Sequence, residues 1–170
     1  MRAVLALLRA FLRIGLLQEG PQSLPASREL TFVVIGAHWA VGLVLSLLGQ
    51  APQVAFVSAV VGTLLMVAII HGLLVFRGVS ERFYQTATAM GGSELVIGIV
   101  ALPLSIWYNF GGAVEIAALL SLVLAGWSLA VASHIFHHSL EINRFSSFGL
   151  SLAYLFISYL IAGLVAAPGS

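Results

Sequence analysis

Five apolar runs, each 20–23 residues long and parted by short polar breaks, constrain this chain more than any other feature of its sequence. They cover residues 30–49, 54–76, 86–108, 114–136 and 147–167. A helix needs about 20 residues to cross the roughly 30 Å of bilayer hydrocarbon. A backbone surrounded by lipid must also satisfy its own hydrogen bonds, which a continuous helix does. The runs therefore predict an all-α membrane protein, with a five-helix transmembrane bundle over residues 30–170. Composition points the same way. Of 170 residues, 61% are hydrophobic and only 8% are charged, whereas a soluble domain carries about 25% charged residues. Such a chain could not cover a water-soluble surface. It carries seven Arg, six Glu, no Lys and no Asp, for a net charge of +1, so nothing favours nucleic acid as a partner. The absence of Cys excludes disulfides, thiolate metal sites and cysteine nucleophiles.

The arginines give the orientation. With the N-terminus inside, segments 1–29, 77–82 and 137–146 hold Arg2, Arg9, Arg13, Arg28, Arg77, Arg82 and Arg144, which is the full set. Segments 50–53, 109–113 and 168–170 hold none. This is the positive-inside pattern, and it predicts an N-in, C-out protein of a bacterial inner membrane. Residues 1–17 place Arg2, Arg9 and Arg13 on one sector of a helix and Leu, Val, Ala and Phe around the rest. Arg9 cuts the apolar core to residues 3–8, shorter than a leader requires. We expect an amphipathic helix on the membrane surface, its arginines among headgroups. Residues 18–29 read as a linker, stopped by two prolines and a glycine.

Two stripes predict close packing. Ala117, Ser121, Ala125, Ser128 and Ala132 form a small-residue face that admits a neighbouring helix. Ser147, Ser151, Tyr154 and Ser158 form a polar face that belongs against protein. In the third run, Gly91-Gly92 is a candidate helix break and Pro103 a candidate kink.

The segment Arg82-Phe83-Tyr84-Gln85-Thr86-Ala87-Thr88-Ala89-Met90-Gly91-Gly92, with Ala101-Leu102-Pro103-Leu104, resembles small bacterial proteins of the Yip1-like membrane family. Trp127-Ser128-Leu129-Ala130-Val131, running to His134, is similar to their fourth span. The resemblance implies a small non-catalytic five-helix bundle with a cytoplasmic N-terminus. The chain lacks the long polar N-terminal region and the Asp-Leu-Tyr-Gly-Pro-like segment of the trafficking members, so that role does not transfer.

Three groups of residues could carry function. His134, His137, His138 and Glu141 have i,i+4 spacings that could present imidazoles and a carboxylate to a divalent metal. With five histidines in all, the chain falls short of the roughly eight of a membrane di-iron site. A b-type haem needs histidines from two spans. His71 and His134 lie about 7.5 and about 3 Å from the inner edge at 1.5 Å per residue. The plainer reading is a helix end where histidines meet headgroups and the helix dipole, with no cofactor expected. Second, Arg77, Glu81, Arg82 and Arg144 form the polar inner loops, a candidate membrane or partner surface, with Arg77 and Glu81 spaced for pairing. Third, His38 and Glu94 each lie eight residues into their spans, at about 12 Å depth. An ionisable group there normally turns inward to a partner, so the two form a candidate buried pair. The alternative is a protonated Glu94 bonded to a backbone carbonyl near Gly91-Gly92. The expected function is non-enzymatic: a scaffold or accessory subunit whose partners are the lipid bilayer and other membrane subunits. The alternatives are a metal- or haem-binding redox subunit and a small transporter or proton-conducting protein around Glu94.

Overall fold

Each apolar run folds as one helix, because a backbone in hydrocarbon must satisfy its own hydrogen bonds and the i to i−4 ladder does so until a cap stops it. The computed structural model describes the backbone of residues 2–166 and the side chains of residues 6–166. Its helices are α1 (Arg2–Gly15), α2 (Arg28–Leu47), α3 (Pro52–Phe76), α4 (Phe83–Asn109), α5 (Val114–Leu140) and α6 (Arg144–Ala166), with 3-10 turns at Pro21–Ser23 and Ser80–Arg82. Among the described residues there is no strand. Helices α2 to α6 are long and apolar enough to cross a membrane. Ala167, the last residue of the fifth run, and the side chain of Arg2 lie outside the described residues.

The boundaries follow from local chemistry. Ser27 caps α2, its Oγ accepting the Leu30 N–H at 3.1 Å, and Pro52 stands in the first turn of α3, where its missing N–H costs nothing. Gly78, at φ 71°, closes α3, with the Val79 N–H returning to the Leu74 carbonyl. The polar loop expected over residues 137–146 is shorter than hydropathy suggested. Helix α5 runs on to Leu140 and stops because Glu141 turns left-handed at φ 52°. Asn143 then starts α6, its Oδ1 taking the Ser146 N–H at 2.8 Å. Helix α4 likewise begins at Phe83 and continues unbroken through Gly91-Gly92 and Pro103, which corrects the expected break. The glycines there serve close approach instead. A Cβ on Gly92 would lie 2.3 Å from the Phe11 ring, and one on Gly91 would lie 3.5 Å from Val34.

Packing closes the five long helices into a ring in the order α2, α3, α6, α5, α4 and back to α2. Helix α1 lies against α4 and α5. Phe11 and Ile14 are buried there, in the same core as Met66, Ile70, Met90, Val131, Ile135 and Phe136, while Arg9 and Arg13 stay exposed. The stretch after α1 is docked as well. Pro21 and Leu24 are buried, Gln85 donates from Nε2 to the Leu24 carbonyl at 2.9 Å, and Trp127 Nε1 donates to the Gly15 carbonyl at 2.7 Å. Interhelical hydroxyl ties gather in this half: Thr31 with Thr88 at 2.8 Å, Thr86 to Ser139 at 2.9 Å and Ser133 with Ser147 at 3.2 Å.

Candidate functional site

Helices α2, α4 and α6 bring three polar side chains together inside the bundle. Tyr154 donates its hydroxyl to Glu94 Oε1 at 2.6 Å, and His38 Nε2 stands 3.5 Å from Glu94 Oε2. Counting at 1.5 Å per residue from Arg28, Phe83 and Arg144, all three lie about 15–17 Å from the arginine-bearing end. The side chains of His38 and Glu94 are 18% and 19% exposed, and Tyr154 is buried. Each carboxylate oxygen thus has its own partner. Tyr154 can donate whether Glu94 is ionised or neutral. Between His38 and Glu94, 3.5 Å apart and not hydrogen-bonded, one proton gives either an imidazolium beside a carboxylate or a neutral imidazole beside a carboxyl group.

Beside the carboxylate the bundle is hollow. A cavity of about 280 Å³ is lined by Glu94, Ser105, Ser121, Ser128 and Tyr159, among others. A second, of about 330 Å³, shares Leu45, Leu104, Ser105 and Ser121 with it and reaches Gly49, Tyr108 and Asn109 at the arginine-free end. Together they form a groove between α4 and α5 with hydroxyls spaced along it. The predicted small-residue face of α5 supplies its wall through Ala117, Ser121, Ala125 and Ser128. Close by in sequence, Ser93 Oγ and Trp39 Nε1 are buried with no hydrogen-bond partner among the described residues.

The histidines and arginines have other work. His134 Nε2 meets the Glu19 carbonyl at 3.0 Å, His137 Nδ1 meets the Ile142 carbonyl, and Glu141 pairs with Arg82. His71 sits edge-on to Phe83, ring centroids 5.5 Å apart. The rings of His134 and His138 are 4.5 Å apart. Among the described residues no three His, Asp or Glu side chains group so as to hold a metal ion. Arg77 does not pair with Glu81, because Gly78 ends the helix between them. It donates instead to the Leu140 carbonyl from Nε and Nη2 at 3.3 and 3.2 Å. Arg82 Nη1 reaches the carbonyls of His138 and Ser139. Both guanidinium groups thereby satisfy the open carbonyls at the α5 C-terminus. Arg13 pairs with Glu19 at 2.7 Å, and Glu81 and Arg144 are exposed.

Sequence reasoning named His38 and Glu94 but missed Tyr154 as their third member. The signal was present in the polar face of the last run, whose inward side this residue shares with Ser147 and Ser151.

The fold and site together describe a chain of five potential membrane helices around an ionisable triad. Compared with protein-family models, curated proteins and solved structures, it matches none. The Yip1-like resemblance accordingly rests on residues 82–92, 101–104 and 127–134 alone.

Proposed function

We propose that this chain is a small, non-enzymatic, multi-pass membrane protein that conducts protons by way of Glu94, its arginine-bearing end facing the cytoplasm of a bacterial cell. One observation carries the reading: the Glu94 carboxylate holds Tyr154 on one oxygen and His38 at the other while lining the groove that reaches the arginine-free end. An ionisable group at this depth is costly, on the order of 2.5–3.5 kcal/mol by insertion scales, and intramembrane carboxyl–imidazole contacts are a usual form of proton relay. The serines and Asn109 along the groove offer hydroxyl and amide groups by which water could reach it. The test is proton flux into vesicles holding the purified protein, driven by a potassium diffusion potential and read with an internal pH dye. Wild type should exceed protein-free vesicles, and Glu94→Gln should fall to their level. Equal flux in wild type and Glu94→Gln would overturn the reading.

The accessory-subunit reading has its own supporting observation. The same groove exposes Ala118 and Ser121 of α5, against which a partner's helix could pack. Cysteine substituted at Ala118 should then cross-link to another protein in native membranes, and such capture together with absent flux would favour this second reading.

A further inference from the structure

At the arginine-bearing end a second groove, of about 460 Å³, runs between α5 and α6. Gly126 and Ala130 keep it shallow-walled on the α5 side, and Leu17 and Phe148 are apolar neighbours along it. Its mouth is different in kind. Arg144, His134, His137 and His138 line it, and no acidic residue does. Arg144 is exposed and enters no ion pair among the described residues. Its backbone opens α6, so the side-chain charge adds to the positive end of that helix dipole. Arg77 and Arg82, by contrast, are turned onto the α5 carbonyls. An apolar trough ending in unspent positive charge, on helices long enough to span a bilayer, has the chemistry of one ligand.

We infer that this groove is a binding site for an anionic phospholipid, with the headgroup phosphate at Arg144 and one acyl chain along Gly126 and Ala130. Charge complementarity chooses the headgroup, since a zwitterionic lipid brings a cation against the cationic mouth. The trough chooses a lipid over a soluble anion, because a free phosphate has nothing to lay against Leu17 and Phe148. The site is separate from the groove at Glu94, shares no lining residue with it, and does not depend on proton binding.

The experiment is native mass spectrometry of the full chain released from bilayers of equal phosphatidylglycerol and phosphatidylcholine. Wild type should retain phosphatidylglycerol preferentially, and Arg144→Gln should reduce that preference about fivefold, the equivalent of roughly 1 kcal/mol per interfacial cation. Gly126→Leu is the second variant. A Cβ on Gly126 meets nothing within 4 Å, so the side chain fills the trough without disturbing the bundle and should expel the retained lipid with the charge intact. Arg28→Gln, at the same end but outside the groove, should leave retention unchanged. Equal retention of both lipids by wild type, an equal loss from Arg28→Gln, or full displacement by inorganic phosphate alone would each overturn the inference.

Discussion

At the arginine-bearing end, the seam between α4 and α5 opens at its mouth into a cavity of about 690 Å³ lined by Gln85, Thr86, His138 and Ser139, and is filled beneath it. Phe11 and Ile14 enter it from α1, Thr86 bonds Ser139 across it, and Ile135, Phe136 and Met90 are almost wholly buried beside it. At the opposite end the same two helices part around cavities of about 280 and 330 Å³. Of the buried residues of α4, all but Gly98 fall between Thr86 and Ser93. Glu94 stands at the boundary, anchored on the packed side and open on the other. One pair of helices thus supplies both a rigid wall and a route of access, and the difference comes from what is inserted between them.

The largest test of this contrast removes a filler. Phe136→Ala should cost about 3–5 kcal/mol of stability, as large-to-small core changes do, measured by thermal unfolding in detergent. Leu122→Ala, on an outward face of the same helix, should stay within about 0.5 kcal/mol. A similar loss from both would mean that the two faces are packed alike. The second test adds volume at two points along one seam. Gly92→Leu must expel the Phe11 ring, with a loss of about 2–4 kcal/mol from forfeited burial and overpacking. Ala118→Leu should fill the open end, leave stability unchanged or raise it by up to about 1 kcal/mol, and lower proton flux. If Ala118→Leu destabilised the bundle as much as Gly92→Leu, the open end would not be open.

Smaller effects probe the boundary. Tyr154→Phe leaves Glu94 Oε1 without its donor and should cost about 1–3 kcal/mol. Combined with His38→Gln, the losses should depart from additivity by about 0.5–3 kcal/mol, since both act on one carboxylate. Strict additivity would show that the groups do not share it. The smallest effect falls on the hydroxyl ties. Thr88→Val should cost about 1 kcal/mol, and adding Thr31→Val should cost about as much again, because Thr31 Oγ1 also lies 2.9 Å from the Ser27 carbonyl and 3.2 Å from that of Tyr84.

The long helices were legible because lipid-spanning length leaves a plain signature in residues 30–49 or 114–136. Their ends were less so. Hydropathy falls at His137 and Ser139, yet the helix continues to Glu141, where a left-handed turn stops it; backbone conformation at a cap does not register in hydropathy. The depth of His38 and Glu94 was readable by counting residues from the start of each span, since a straight helix converts number into distance. Tyr154 could be placed on an inward face but not assigned to Glu94, because helical phase does not say which helix stands opposite. The role of Gly91-Gly92 was misjudged for the same reason. Alone, two glycines suggest weakness, and only the arrival of Phe11 shows that their missing side chains make room.

The placement of α1 has a consequence for the order of assembly. Trp127 Nε1 bonds the Gly15 carbonyl across 112 positions of chain, and His134 reaches Glu19 across 115. During synthesis α1 is therefore made long before the helix that receives it. It can meet α4 first, through Phe11 and Gly92, but its bonds to Trp127 and His134 form only after α5 has entered the membrane, so completion of its docking is among the closing steps of biogenesis and not the opening one. Chains stalled short of Trp127 should leave α1 more open to added protease than chains released after α6.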